Sequence, residues 1–478
     1  MRISGIMTSK EKWFRTMQQG QHDFQKGNLS SAVKFFSLAT EISPSRVEGW
    51  VNLGVSQVEA GYNQAALVAL QQAISLAPNI MPAHMALGDA QRFLGNFDSA
   101  FIAYQQAVEL QRTPMSLNKL AAIQRARGNP EKAEVLFHEA LRLAPGFTLA
   151  RANLATVQVD LQNFDEANKQ LNDLEGLPLS LLESEEVNST RISLDIYNRL
   201  QPSIDSALRE GDLVPMKKAL LAIPENLLQA DEEILEGIRG YANSALSLSP
   251  PKESGTCTLP NDWPLIEALF MIPYVESVDA FLKTKEALTN GIKPAGDLLE
   301  SINMERVVSA ARSIHFEDLL DPIKAEMHSR HWHALATVGV EKMLPGQFKM
   351  VKNMSHSDTL KRRAEPHLVT GTFRQFISEI YAKLPPGLLR GLVVMMAVSD
   401  MHAFPDGNGR IALAWMNREL EAVGQIPAIF THEGGFKGGF AEAMREARST
   451  GGDLSSLVSV TTGAQQYSQD FCDQLRRK

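Results

Sequence analysis

Hydrophobic positions in the first third of the chain follow two periods at once. The short one is helical, with apolar residues returning every three or four positions. The long one is close to a fixed repeat: Ala32, Ala66, Ala100, Ala133 and Ala167 recur at spacings of 34, 34, 33 and 34. Gly27, Gly61, Gly95 and Gly128 recur at one offset before the alanines, and Pro44, Pro78 and Pro145 close three of the units. Each unit therefore predicts a helical hairpin: a helix, a turn at the glycine, a second helix, then a proline that cannot continue it. Alanine at the repeated position lets the two helices cross closely. The fifth unit departs, with Gln162 where the turn glycine stood, as a terminal unit that meets something else can.

From about residue 180 to 246 the apolar spacing stays helical but the repeat is gone. The stretch "SLSPPKESGTCTLPND", residues 247–262, is rich in Ser and Pro and predicts a linker. Beyond it, 263–478 predicts a second helical domain. Leu389, Leu392, Val393, Met396 and Ala397 place a buried helix over 388–401, and Ile411, Ala414, Trp415 and Leu420 place another over about 410–423. "PGQFKMVKNM" and "PHLVTGTF" are exceptions, expected to pair as a short β-hairpin by their β-branched residues and flanking Pro and Gly. The expected fold class is all-α, a helical solenoid followed by a helical domain carrying that hairpin.

Composition narrows the class. A chain of 478 residues with 44% hydrophobic and 21% charged residues fits two or three globular domains. A net charge of −8 argues against a broad nucleic-acid surface. With only Cys257 and Cys472, neither a disulfide framework nor a cysteine zinc site is expected, and a reducing, cytoplasmic setting is. "MRISGIMTSKEKWF" lacks an apolar signal core, and no run approaches 18 apolar residues. Neither a secretory signal nor a membrane span is expected.

Between the two predicted helices of the second domain stands "HAFPDGNGR", His402–Arg410. A Gly-Asn-Gly turn entering a helix points free N–H groups outward, where the helix dipole adds partial positive charge, and that is the construction of a phosphate site. Arg410 can add a bidentate charged contact. Asp406 offers an oxygen ligand suited to Mg²⁺, and His402 can accept a hydroxyl proton near neutral pH. Singly, each of these residues has an ordinary reading as a helix cap or a turn; the combination is what is specific. Gly407, Gly409 and Ala412 also match a loose dinucleotide fingerprint, but a helix rather than a strand precedes them. "HSRHWH", with His328, His331 and His333, lacks a carboxylate or cysteine at metal-ligand spacing, so a solvated or partly packed helix is expected there.

The first third, 11–180, resembles an array of about five tetratricopeptide repeats, seen best in Trp50, Leu53, Gly54, Ala66, Ala73 and Pro78. The resemblance implies a concave face that holds a peptide or partner protein. The family's carboxylate-clamping mode uses lysine and asparagine; Asn52 stands at one such position, but Met17 and Pro82 replace the lysines. A spacer or docking scaffold is the stronger expectation.

The second domain, with a core at about 300–460, resembles the Fic domain family of the Fic/DOC, protein-adenylyltransferase type. His402, Phe404, Asp406, Gly407, Asn408, Gly409 and Arg410 match its His-x-Phe-x-(Asp/Glu)-Gly-Asn-Gly-Arg-x-x-Arg signature, while Leu413 replaces the last arginine. "LPGQFK" resembles the segment before the family's target-docking flap, "HLVTGTFRQFISEIYAKL" the helix after it, and "AVGQIPAI" and "AEAMREARSTGGDLSSLVSV" its closing helices. The resemblance implies transfer of AMP from ATP to a Ser, Thr or Tyr hydroxyl of a protein. His402 would be the general base and Asp406 the Mg²⁺ ligand. Gly407, Asn408, Gly409 and Arg410 would hold the phosphates, Phe404 would anchor the loop, and a flap at 346–372 would hold the target as an added strand. The expected partners are a protein substrate, a peptide or protein on the repeats and, as an open alternative, a second copy of the chain; neither nucleic acid nor membrane is expected. The family's inhibitory motif finds one match, "SALREG" with Glu210. Without the arginine that such a glutamate pairs with, Glu210 is expected not to gate the site. Two alternatives stay open: a repeat scaffold with a degenerate Fic domain, and a transferase of UMP, phosphate or phosphocholine.

Overall fold

Small residues at the helix crossings govern the first part of this computed structural model, which describes residues 8–249, 258–271, 277–290, 297–340, 343–350, 363–430 and 439–478. Ten helices form five hairpins in order: α1 (Ser9–Gln25), α2 (Leu29–Ile42), α3 (Val47–Glu59), α4 (Asn63–Leu76), α5 (Met81–Phe93), α6 (Phe97–Leu110), α7 (Pro114–Ala126), α8 (Pro130–Leu143), α9 (Thr148–Asp160) and α10 (Phe164–Asn172). The five repeated alanines are fully buried on the second helix of each hairpin. In the first three hairpins the first helix carries a glycine, Gly20, Gly54 or Gly88, against a large side chain of the second, Phe36, Leu70 or Tyr104. A Cβ on Gly88 would come within 2.4 Å of the Tyr104 ring, and one on Gly54 within 2.4 Å of Leu70. The turn glycines all have positive φ, and Gln162 adopts the same left-handed turn at φ 60. The fifth hairpin therefore keeps the turn geometry without the residue that adopts it freely.

Two compact units divide the chain, one up to Asn188 and one from Ser189 onward. The boundary falls inside α11 (Leu181–Glu210). The helices α11, α12 (Val214–Leu221) and α13 (Glu232–Ser247) lie within the predicted connector, 181–262. The end of α11 packs with α12 and Met327, and α13 places Leu235, Ile238 and Tyr241 in the central core of the second unit. Apolar spacing without the repeat marked these helices, but it could not show which core they join. Of the predicted linker, 250–257 lies outside the described residues.

Among the described residues the second unit continues with α14 (Trp263–Met271), α15 (Val278–Thr289), α16 (Asp297–Ser313), α17 (Pro322–Thr337), α18 (Val369–Glu379), α19 (Leu388–Met401), α20 (Asn408–Ala422), α21 (Gly439–Ser449) and α22 (Ser455–Arg477). α19 is apolar nearly all round and lies at the centre, packed on α20. No strand occurs among the described residues, so the fold is all-α. The expected hairpin is corrected in its second half: "PHLVTGTF" is a short 3₁₀ turn at 366–368 running into α18. Val369, Phe373, Phe376 and Ile377 are buried at helical spacing, and that period outweighs the β-branched content. Gly371 is required there because the chain at Leu228 and Gln229 passes against it; a Cβ would meet the Gln229 carbonyl oxygen at 2.2 Å. Residues 347–349 are neither helix nor strand, and 351–362, the middle of the expected flap, lie outside the described residues. Among the described residues no helix is long and apolar enough to cross a membrane.

Gly128 and Gly88 separate the two uses of glycine. Gly128 (φ 78) has open space around it, so Gly128→Ala carries only the left-handed backbone strain, about 1 kcal/mol. Gly88→Ala must displace the Tyr104 ring and costs about 1–3 kcal/mol. Urea unfolding of the two variants should rank them in that order, with Gly88→Ala the less stable.

Candidate functional site

α19 ends at Met401 because His402 takes a left-handed conformation, φ 47 and ψ 55, while its N–H still bonds the Val398 carbonyl at 3.1 Å. A non-glycine residue at positive φ is uncommon and is held there by its surroundings. The chain then crosses 403–407 and enters α20 through Gly407, itself left-handed at φ 75. Asn408 ties this crossing shut. Its side chain accepts from Phe404 N–H and donates to the Phe404 carbonyl, both at 2.8 Å. That amide is consequently engaged with the loop, and what Asn408 could offer an anion is its backbone N–H. The N–H groups of Asn408, Gly409 and Arg410 have no carbonyl within α20 to bond, as in the first turn of any helix.

His333 of α17 fastens the loop from below. Its ring stacks on Phe404 with centroids 4.1 Å apart and planes 8° from parallel. Gly346 N–H donates to Nδ1 at 3.1 Å, so Nδ1 carries no proton. The proton sits on Nε2, which donates to the Asp406 carbonyl at 3.2 Å. Burial holds the ring neutral, pushing its pKa down to about 3. The segment before the expected flap joins the same assembly. Lys349 N–H donates to the Ala403 carbonyl at 2.8 Å and its ammonium reaches the Met401 carbonyl at 3.3 Å, while Phe348 packs edge-on to Phe404 at 5.1 Å. Arg330, one turn before His333 on α17, lies 3.7 Å over the Phe348 ring and donates to the Gly346 carbonyl at 3.2 Å.

The charged groups of the site are more exposed. Asp406 has a side chain 61% accessible and touches Arg410 Nη2 at 3.3 Å. Arg410 also donates through Nη1 to Glu300 of α16 at 2.6 Å. Of the residues selected from sequence, His402, Asp406, Gly407, Asn408, Gly409 and Arg410 thus sit on one braced loop and helix start, and Phe404 is buried beneath them. Leu413 is buried in the core, 2% accessible. Glu210 is exposed at the end of α11; the carboxylate from outside the loop that meets the motif arginine is Glu300. Arg418 is turned to the Ile314 carbonyl at 3.2 Å. His333 and Glu300 were missed as contributors, since each is brought in by a distant helix. "HSRHWH" is a packed helix, not a solvated one: His328 is buried with Nε2 3.9 Å from an Asp318 carboxylate oxygen, and burial pushes its pKa down to about 4. Among the described residues no group of three or more His, Cys, Asp and Glu is placed to hold a metal ion.

With this geometry in place, the first unit is recognised as a tetratricopeptide-repeat array. Two tetratricopeptide-repeat family models match, at residues 51–114 and 124–176. Solved structures similar to the chain include a thermophilic tetratricopeptide-repeat protein from Thermus thermophilus, at 21% identity, covering 37% of this chain and 97% of that one, TM-score 0.33. PilF from Pseudomonas aeruginosa is similar at 16% identity over 45% of this chain and 90% of its own, TM-score 0.34. A repeat protein from Parabacteroides merdae shows 20% identity over 44% and 86%, TM-score 0.34. No curated protein matches the chain significantly.

Replacing His333 by Phe keeps the ring stack but leaves the Gly346 N–H and Asp406 carbonyl unpaired. Each orphaned buried group costs about 1–3 kcal/mol. Hydrogen–deuterium exchange should speed up at Gly346 and across 403–410 in His333→Phe, with the repeat helices α1–α10 unchanged; unaltered exchange at the loop would refute the bracing role.

Proposed function

We propose that the second unit is a protein nucleotidyltransferase that moves AMP from ATP onto a Ser, Thr or Tyr hydroxyl, with the repeats recruiting the protein target. The observation that carries this reading is the braced loop itself. A chain that only needed to reverse direction between α19 and α20 has no need of a strained His402, a cross-linked Asn408 and a buried histidine beneath them. Such rigidity suits a site whose donors must already point at the anion before it arrives.

In the proposed reaction the target hydroxyl lies against His402. The imidazole takes the proton as the hydroxyl oxygen bonds to the α-phosphorus, the bond from that phosphorus to the bridging oxygen of the β-phosphate breaks, and pyrophosphate leaves. The N–H groups of Asn408, Gly409 and Arg410, with the Arg410 guanidinium, stabilise the charge gathered on the phosphate oxygens. Asp406, an accessible carboxylate beside that anion site, fits Mg²⁺, which takes one or two carboxylates and completes its shell with water and phosphate oxygens. The ion would neutralise the phosphates when bound.

Two features favour the alternative of a scaffold whose second unit is catalytically weak. Leu413 supplies no cation, and the Glu300 carboxylate occupies one face of Arg410. A nucleotide must displace Glu300 before Arg410 can hold its phosphates.

His402→Ala should lower transfer from radiolabelled ATP about 10²- to 10⁴-fold while nucleotide still binds; undiminished transfer would remove His402 from the chemistry. Glu300→Gln frees Arg410 from a charge-assisted bond, so calorimetry should show tighter binding of Mg²⁺–ATP by several-fold. If wild type and Glu300→Gln both fail to bind any nucleotide, the scaffold reading stands in place of the enzyme.

A further inference from the structure

We propose that Lys349 is a positioning residue that holds His402 in its left-handed conformation, so that the imidazole is in place before the target hydroxyl arrives. Its effect on turnover rests on the transferase reading above; its grip on the backbone does not. Helix ends usually put glycine in the left-handed conformation, because a Cβ is strained there. Among the described residues only Gln162 and His402 adopt it with a side chain. A histidine at such a point needs restraint from outside its own turn.

Lys349 supplies that restraint from both sides of His402. Its N–H donates to the Ala403 carbonyl at 2.8 Å, and its ammonium donates to the Met401 carbonyl at 3.3 Å. One residue thus fixes the carbonyl before His402 and the carbonyl after it, which limits rotation of the backbone between them. Lys349 is only 2% accessible. An ammonium is costly to bury unless its hydrogen bonds are made, and a cation is favoured at the C-terminal carbonyls of a helix. Other cations meet the last turn of α19, but earlier. Arg363 donates to the Ser399 carbonyl, and Arg448 donates to the Asp400 carboxylate at 2.7 Å and the Ser399 hydroxyl at 3.0 Å. Those contacts hold residues 399 and 400, whereas Lys349 spans His402 itself.

Glycine at 402 needs no restraint, so the grip should matter less once His402 is gone. Urea unfolding of wild type, Lys349→Met, His402→Gly and the double variant measures this coupling. Lys349→Met should lower the midpoint more in the His402 chain than in the His402→Gly chain, while Arg448→Met should lower it equally in both. In transfer from radiolabelled ATP, Lys349→Met should cut the maximal rate about 10- to 100-fold and leave the half-saturating Mg²⁺–ATP concentration unchanged. Lys349→Arg, which keeps a cation there, should retain more of the rate. Equal losses from Lys349→Met in the two chains, or the same coupling for Arg448→Met, would overturn the positioning role. So would an unchanged maximal rate in Lys349→Met. A wild type without transfer would overturn the transferase reading instead, and the unfolding comparison would still decide the grip.

Discussion

A neutral imidazole buried between two backbone segments joins the parts of the second unit that matter most. His333 is one of few side chains able to accept with one ring atom and donate with another while presenting a flat apolar face. It uses all three properties at once: it accepts from Gly346, donates to Asp406 and stacks on Phe404. Its burial makes the arrangement self-consistent. A protonated ring would offer a second donor to Gly346 N–H, and the apolar surroundings exclude that charge. The loop after α19 is thereby fixed to α17 and to the segment at 346–349, and its geometry follows from α17 as well as from its own turn residues.

The same coupling links the loop to the core. Phe404 and Phe348 fill the space beneath the loop, and Arg330 covers Phe348 while bonding Glu326. Glu326, fully buried, also takes Arg374 of α18 at 2.6 Å. One fully buried carboxylate bridges the two guanidinium groups, so Glu326 is paired through both oxygens, the condition under which such a group can be buried. α17 and α18 are held together by this arrangement, and α17 carries the loop. What is left above it is polar: the exposed Asp406 and the partly buried pair Arg410 and Glu300. The site therefore has a rigid base and an electrostatically adjustable surface.

In the first unit the constraint is steric. The helices approach so closely that alanine or glycine must stand at each crossing, and the large partner, Leu70 or Tyr104, fills the space a Cβ would have taken. Because each hairpin solves this problem locally, the array tolerates Gln162 in place of a glycine, at the cost of backbone strain at one turn.

Local periodicity was enough for the repeat hairpins, for α19 over 388–401, for the start of α20 and for the left-handed turns, because each depends on residues within a few positions of one another. The turn at 402–410 between α19 and α20 was legible for the same reason, its residues being contiguous in the chain. The hairpin expected at 366–373 failed because β-branched content is a weaker determinant than the 3.6-residue spacing of Val369, Phe373, Phe376 and Ile377, which packing against the 228–231 segment then reinforced. Three things were decided only in three dimensions: the membership of α13 in the second core, the pairing of Glu300 with Arg410, and the role of His333. Each joins positions far apart in sequence, 110 residues for Glu300 and Arg410 and 73 for His333 and Asp406. A single chain records which residues could make such contacts, but the choice among them is made by the cooperative burial of the helices that carry them.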